Sequence, residues 1–344
     1  MKGVKFDGLH SYDEWGLILA EKELKSPDVK TYTVELEGSN GVLDFTDFFG
    51  AVKYENRQLT FSFIKPNITP DGFLELYSLV QNALHGKKMQ VILDDDPAYF
   101  YYGRVSINDW KSNKGIGEIV IEVDAEPFKY KVSRTGYVAS LAGKNLINLN
   151  AGNIGAFGTW TKTSNGFSYV RGSTAGGSYV SFKIPLAAGN TYTLSAGVTA
   201  AGTAAAMYVY SDRLYGTAIA NGNKAVTFKP EKSGFYYIAL ITNSTTTSAE
   251  FTNVMLEKGA VATAYEAFDN TPKLVSVFLD NLKMPAIPTI YASDYVELYN
   301  GEEPVVLYAG ESITAEEYEL KEGSNQLNVE GTGVVVFDWQ EGGL

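Results

Sequence analysis

Tyrosines are concentrated in one short stretch of the chain, AAMYVYSDRLYG at residues 205 to 216. Aromatic rings cover the apolar faces of sugar rings, and neighbouring polar groups fix the sugar hydroxyls by hydrogen bonds. Residues of the same types occur in the fifty positions before this stretch. The set predicted to bind carbohydrate is Trp160, Tyr169, Tyr179, Tyr208, Tyr210, Arg213 and Tyr215. The alternative is that most of these rings pack within a sheet or only decorate it.

The alternation within this stretch favours an exposed position for the tyrosines. Successive side chains of a strand point to opposite faces, so Met207 and Val209 share one face while Tyr208 and Tyr210 share the other. Because Met207 and Val209 can fill a core, the tyrosines are free to face a ligand.

Residues for catalysis are scarce. The chain has no cysteine, which excludes disulfides, thiolate nucleophiles and cysteine-based metal sites. His10 and His85 are the only histidines, and the sequence contains no G-x-S-x-G, H-E-x-x-H or P-loop motif. His85 precedes Gly86 at the end of a predicted helix, where it caps the helix or complements its dipole. We therefore predict no catalytic residue and no enzymatic activity.

Three consecutive carboxylates, Asp94, Asp95 and Asp96, precede Pro97. Carboxylate oxygens bind Ca²⁺, but Asp and Pro between two strands also form turns, and we favour the turn. We predict no metal site and no cofactor, but binding of Ca²⁺ stays open for residues 143 to 268. A glycosidase pair also stays open, because nothing selects two of the forty carboxylates.

The first 130 residues predict an α+β domain. The segment 69 to 88 places Phe73, Val80 and Leu84 at helical spacing, and Pro70 stands at its start. Stretches rich in β-branched and aromatic residues predict strands at 58 to 63, 89 to 93, 98 to 107 and 117 to 125. The aromatic run YFYY at 99 to 102 fits either a partner-binding edge or cross-strand packing.

The remainder predicts only strands. From residue 145 short strands recur about every ten residues between turn residues, at 177 to 186, 191 to 200, 205 to 211, 224 to 230, 234 to 242 and 250 to 259. This spacing is typical of a β-sandwich. Five further strands are predicted after residue 269, but this segment of about 75 residues is too short for an independent domain. We therefore expect partner strands from before the insert, such as 127 to 134.

Charge marks the same boundaries. The net charge is −12, but residues 143 to 268 hold nine Lys and Arg against five Asp and Glu, which leaves nineteen against thirty-five elsewhere. We therefore predict three domains: 1 to 130, an insert at 143 to 268, and 131 to 142 together with 269 to 344. The acidic balance argues against nucleic acid as a partner. No signal peptide or membrane anchor is expected, so the chain is predicted to be soluble.

The N-terminal third resembles a known family. Four blocks match it in order and spacing: MKGVKFDGLHSYDEWGLIL, GVLDFTDFFGAVKYENRQLTFSF, LVQNALHGKKMQVILDDDPAYFYYGRV and GEIVIEVDAEPFKYKVS. They look like the N-terminal domain of the distal tail proteins of bacteriophages with long non-contractile tails. The closing FDWQEGGL resembles the end of the galectin-like C-terminal domain of that family.

The resemblance implies a structural role. Six copies would form a hub ring at the tail tip, joining the tail tube to baseplate or tip proteins, with the C-terminal domains projecting outward to hold receptor-binding proteins. It further implies synthesis in the host bacterial cytoplasm and a final location in the virion.

The insert resembles a second class of module. AAGNTYTLSAGV and VMLEKGAVATAYEAF look like the jelly-roll carbohydrate-binding modules found in many phage tail proteins. The chain thus resembles the evolved distal tail proteins, which carry such modules to contact the host wall. The fold expected is mainly β: an N-terminal α+β ring domain, an inserted jelly-roll β-sandwich and a galectin-like C-terminal β-sandwich.

Two other functions compete with this interpretation. A dedicated receptor-binding adhesin would use the flanking domains only for attachment. A tail-associated cell-wall hydrolase would instead release sugar or peptide from host walls.

Overall fold

The computed structural model describes residues 3 to 38, 40 to 48, 50 to 113, 115 to 155, 157 to 174, 176 to 202, 205 to 301 and 303 to 344. The chain is mainly β, as the sequence predicts. It forms two compact units: an N-terminal unit of residues 1 to 133 with 341 to 344, and a second unit of residues 134 to 340. Among the described residues, no helix has the length and apolar character needed to cross a membrane.

The N-terminal unit is one antiparallel sheet with a helix packed on it. Its elements are β1 (Val4–Phe6), β2 (Leu9–His10), α1 (Ser11–Trp15), β3 (Ile18–Leu24), β4 (Thr33–Glu35), β5 (Val42–Asp44), β6 (Arg57–Pro66), α2 (Pro70–Leu84), β7 (Lys88–Leu93), β8 (Tyr99–Asn113), β9 (Ile116–Ala125) and β10 (Lys129–Lys131). The main sheet runs in the order β2-β1-β7-β8-β9-β6-β3, and β10 pairs with β8. β4 and β5 form a separate two-stranded hairpin.

Helix α2 forms where the sequence predicts it. Thr69 caps its start, with Oγ1 accepting a hydrogen bond from the Gly72 N–H at 3.2 Å. Phe73, Val80 and Leu84 are buried against the sheet, so one helical face supplies the contact. The helix ends four residues before the predicted limit, since Gly86 takes a left-handed backbone and β7 begins at Lys88.

The second unit begins with β11 (Thr135–Ser140) and then builds a sandwich of two five-stranded antiparallel sheets, here called the insert sandwich. Its strands are β12 (Asn153–Ile154), β13 (Thr159–Lys162), β14 (Phe167–Val170), β15 (Ser178–Leu186), β16 (Tyr192–Ala201), β17 (Ala205–Tyr210), β18 (Ala218–Gly222), β19 (Val226–Phe228), β20 (Gly234–Thr242) and β21 (Ser248–Lys258). The sheets are β12-β15-β20-β17-β18, called the front sheet, and β13-β14-β21-β16-β19, called the back sheet. All six strands predicted here are present.

The remaining strands form a second sandwich of two four-stranded sheets, here called the C-terminal sandwich. Its strands after the insert are β22 (Lys273–Asn281), β23 (Thr289–Ala292), β24 (Val296–Tyr299), β25 (Val305–Leu307), β26 (Ser312–Thr314), β27 (Gly323–Gly331) and β28 (Val334–Trp339). The last strand of the chain, β29 (Gly342–Gly343), belongs to the N-terminal unit. The two sheets run β11-β28-β23-β26 and β22-β27-β24-β25. A strand from before the insert therefore completes this sandwich.

The identity of that strand differs from the prediction. The segment 127 to 134 was expected to supply it, but β10 within this segment pairs with β8 and with β29. The strand that joins the C-terminal sandwich is β11, which pairs with β28 from Thr135 to Ser140. The sequence could not decide whether β10 or β11 completes the sandwich, because both are short strands that precede the same insert.

Strand β28 lies between two hydrophobic cores. Val334 and Val336 pack with the core of the insert sandwich, whereas Val335 and Phe337 pack within the C-terminal sandwich. A strand buried on both faces is expected to contain a continuous apolar run, as VVVF at 334 to 337 does. The two sandwiches thus share one strand in their packing and belong to a single compact unit.

Candidate functional site

The front sheet presents the tyrosines on its outer face. Met207 and Val209 are fully buried in the core of the insert sandwich, as predicted. The alternation along β17 places Tyr208 and Tyr210 on the opposite face. On the neighbouring strand β15, Val180 and Phe182 point inward in the same way, which leaves Tyr179 facing outward.

Four of the predicted binding residues come together in a tyrosine cluster, made of Tyr179, Tyr208, Tyr210 and Tyr215. The rings of Tyr208 and Tyr210 are parallel within 5°, with centroids 5.7 Å apart. Tyr215 lies 6.0 Å from Tyr210 and meets Tyr179 edge-on at 5.6 Å. Such offset and edge contacts stabilise aromatic groups, so the rings form one ordered surface.

The cluster has a covered centre and an open rim. Tyr210 is only 5% exposed, whereas Tyr215 is 55% exposed, and Tyr179 and Tyr208 are half-buried. Burial raises the pKa of Tyr210 to about 12 and also raises the pKa of Tyr215. The face that a ligand could cover belongs to Tyr215, Tyr208 and Tyr179, with Tyr210 supporting them from below.

A tight turn holds Tyr215 against the sheet. Tyr215 adopts a left-handed backbone with φ of 61°, which is uncommon for a residue with a bulky side chain. The carboxylate of Asp212 accepts a hydrogen bond from the Arg213 N–H at 2.9 Å, and the Gly216 N–H donates to the Arg213 carbonyl at 2.9 Å. A side chain at Gly216 would collide with Asp212. The strained turn is consistent with a functional position for Tyr215.

Two predicted binding residues belong to the core instead. Trp160 is 7% exposed and Tyr169 is 1% exposed, and their rings pack together at 5.0 Å on the inner face of the back sheet. The Trp160 indole N–H donates to Ser178 Oγ at 2.9 Å, and the Tyr169 hydroxyl donates to the Phe157 carbonyl at 2.9 Å. Their polar atoms are satisfied inside the protein, so neither ring offers a face to carbohydrate.

These core residues support the cluster indirectly. Ser178, which accepts from Trp160, donates its own hydroxyl to the Gly155 carbonyl at 3.2 Å. Gly155 in turn lies against the ring of Tyr179, where any β-carbon would collide with that ring. The Gly155 N–H also donates to the Tyr179 carbonyl at 2.9 Å. The buried aromatic residues thus fix a loop that determines where Tyr179 can lie.

Two polar residues of the same face were not singled out from the sequence. Tyr237 on β20 lies directly opposite Tyr210, and Asn221 on β18 lies directly opposite Tyr208. Alternation within GFYYIALIT would have placed Tyr237 outward, because Tyr236 and Ile238 fill the core. Nothing in the sequence pairs Asn221 with a tyrosine, since that contact depends on strand register.

The aspartates at 94 to 96 form a turn between β7 and β8. Asp94 lies 3.0 Å from His10 Nε2 and accepts the Gly3 N–H at 2.7 Å. Asp95 pairs with Lys22, and Asp96 pairs with Lys129 at 2.7 Å. Among the described residues, no group of three or more His, Cys, Asp or Glu is placed to hold a metal ion.

The remaining candidates have contacts within the N-terminal unit. His85 caps α2, and its Nδ1 accepts a hydrogen bond from the Ile107 N–H at 3.0 Å. In the YFYY run, Tyr101 is buried and Phe100 stacks on Tyr130 at 5.2 Å. Lys129 lies over the Tyr99 ring at 4.4 Å. Internal packing therefore accounts for much of this aromatic run.

Comparisons with known proteins give little. No protein-family model and no curated protein matches the chain. Among solved structures, the chain aligns over its full length with the whole of the SPP1 Dit (gp 19.1) protein, described as a paradigm of hub adsorption apparatus in Gram-positive infecting phages. The identity is 12% and the TM-score is 0.42. A likeness at this level assigns no family to the chain.

Proposed function

We propose that the chain is a structural subunit of a bacteriophage tail tip, in which six copies form a hub ring between the tail tube and the adhesion apparatus. The observation that carries this proposal is the order and spacing of the four N-terminal sequence blocks. Under this proposal the N-terminal unit builds the ring and the galectin-like C-terminal sandwich faces outward.

An exposed apolar arm in the N-terminal unit supports self-association. The arm comprises residues 25 to 56 and includes the β4–β5 hairpin, in which Val42 is 52% exposed. Tyr32 and Phe48 on the same arm are 57% and 70% exposed. Soluble monomers seldom present several large apolar side chains together, whereas interfaces do. The occupant we propose for this arm is a neighbouring copy of the chain.

We further propose that the insert sandwich, a jelly-roll module, binds a saccharide of the host cell wall. The tyrosine cluster supports this, because it presents three accessible rings on one sheet face. Asn221 lies opposite Tyr208 in the strand register, and Arg213 stands two residues before Tyr215 in the sequence. Rings of this kind stack on pyranose faces, and amides and guanidinium groups bind the hydroxyls.

The test replaces the accessible rings in the full-length chain. Combining Tyr208→Ala with Tyr215→Ala should reduce sedimentation of the protein with host cell walls about tenfold or more, because two stacking contacts of roughly 1 kcal/mol each are lost. The pair Tyr208→Phe and Tyr215→Phe keeps the ring faces and should retain most of the binding.

Tyr12→Ala is the matched control, since Tyr12 lies in the N-terminal unit and its side chain is 40% exposed. Unchanged wall binding in the double alanine variant would refute the saccharide role. Release of reducing sugar or peptide from the walls by the purified chain would instead favour a hydrolase. Deletion of residues 143 to 268 that abolishes adsorption but leaves particle assembly intact would support the proposed accessory role of the insert.

A further inference from the structure

The outer face of the front sheet carries no carboxylate at its central strand positions. The side chains that alternate outward on β15, β17 and β20 are Tyr179, Ser181, Lys183, Pro185, Ala206, Tyr208, Tyr210, Phe235, Tyr237, Ala239 and Ile241. One of these eleven is cationic and none is acidic. The insert as a whole has five Asp and Glu, and none of them lies at these positions.

The charge of the neighbouring segments differs from the charge of this face. Residues 269 to 344 contain fourteen Asp and Glu against three Lys and Arg, whereas the insert has a net charge of +4. The back sheet of the same sandwich exposes Glu250 on β21, whereas β15, β17 and β20 of the front sheet carry no carboxylate. A carboxylate repels an anionic ligand, and these front-sheet positions present none.

Arg213 supplies a cation in the turn that carries Tyr215, next in sequence to the exposed carboxylate of Asp212. It is exposed and stands two residues before Tyr215 in the strained turn. Its backbone N–H is bound by Asp212, and among the described residues no ion pair includes its guanidinium group. Lys183, by contrast, donates to the Gly310 carbonyl at 2.9 Å and lies 4.1 Å from the Phe235 ring centroid. Arg213 is therefore the cation of this face best able to meet a ligand.

We infer that the saccharide bound at the tyrosine cluster is acidic, carrying phosphate or carboxylate groups that pair with Arg213 while Tyr208 and Tyr215 stack on its sugar rings. This inference rests on the proposed saccharide role of the insert. A guanidinium group forms two parallel hydrogen bonds to phosphate or carboxylate, which fixes the orientation of the ligand as well as attracting it.

The experiment measures binding of the full-length chain to three immobilised polymers: neutral dextran, polygalacturonate, which carries carboxylates, and a glycerol phosphate polymer carrying glucose. The wild-type chain should bind at least one acidic polymer tenfold or more tightly than dextran, and binding should weaken strongly between 0.05 and 0.5 M NaCl, roughly as expected from ionic screening. Which acidic polymer is preferred identifies the anion as phosphate or carboxylate.

Arg213→Gln removes the charge and should weaken binding of the acidic polymer about tenfold, with the residual affinity less sensitive to salt. Arg171→Gln is the control, because Arg171 is an exposed arginine of the same sandwich whose Nη1 donates to the Ser244 carbonyl at 3.3 Å. It should bind like the wild-type chain.

Equal binding of dextran and the acidic polymers, or binding that Arg213→Gln leaves unchanged, would overturn the inference. So would a chain that sediments with host walls yet binds neither acidic polymer. In all three cases the saccharide role survives if the Tyr208→Ala, Tyr215→Ala double variant still loses wall binding. If that double variant keeps both wall binding and polymer binding, the proposed function itself is contradicted.

Discussion

At the scale of single residues, identical side chains have opposite roles in the insert sandwich. Tyr169 is a core residue whose hydroxyl is bonded to Phe157, whereas Tyr215 is half exposed in a left-handed turn. Both were predicted to bind carbohydrate, because the sequence gives their type and not their burial. The alternation around Met207 predicted the outward position of Tyr208, because a strand of six residues shows its period clearly. Trp160 lies in a strand of four residues, which is too short to show one.

Tyr210 connects the cluster to a measurable pH dependence. Burial raises its pKa from about 10 to about 12, so the fold favours the protonated hydroxyl. This contribution to stability is complete below pH 10 and is lost as pH rises through 12, because the unfolded chain releases the proton first. Tyr210→Phe should reduce the fall in the free energy of unfolding across this range by up to about 1.4 kcal/mol per pH unit.

Denaturant titrations at several pH values measure this slope. Tyr12→Phe, which changes an exposed tyrosine, serves as the control and should leave the slope as it is in the wild-type chain. A Tyr210→Phe slope equal to that of the wild-type chain would show that the Tyr210 hydroxyl is not buried beneath the cluster.

At the scale of elements, local patterns predicted most strands and the one long helix. The Thr69 cap, the buried spacing of Phe73, Val80 and Leu84, and the alternating strands β15 to β17 all follow from near neighbours in sequence. Pairings between distant segments could not be predicted this way. That β11 rather than β10 completes the C-terminal sandwich depends on contacts some 200 residues apart.

Strand β28 is the element that couples the two sandwiches. Val336 is fully buried, pairs with Val138 and Tyr291, and packs with the insert core. Val336→Ala removes two methyl groups and should cost about 2 kcal/mol of unfolding free energy. Hydrogen exchange should then accelerate in both β20 and β22, because both sandwiches depend on this strand.

Val306→Ala is the control, since Val306 is 36% exposed on β25, and it should leave exchange in both strands nearly unchanged. Acceleration of β22 alone in Val336→Ala would mean that the insert sandwich folds independently. If the two sandwiches are coupled, excising residues 143 to 268 exposes Val334 and Val336, so such a deletion tests stability as well as adsorption.

At the scale of the whole molecule, parts of the chain present surfaces of different character. The N-terminal unit offers an exposed apolar arm, the C-terminal segment carries most of the excess acidic charge, and the insert alone is net basic. These surfaces agree with the proposed hub: apolar surface for neighbouring copies, and an aromatic face on a net basic module for a wall polymer. Because the chain has no cysteine, a hub outside the cell would be held by packing and assembly rather than disulfides.

The central claim is that this chain builds a six-membered ring. Negative-stain electron microscopy of the purified full-length chain at high concentration, alone and with the tail-tube protein that the proposed hub would contact, tests it most directly. We predict sixfold rings, and we expect Phe48→Asp on the exposed arm to reduce their number because a charge would be buried at the contact between copies. Monomers alone under both conditions would contradict the account.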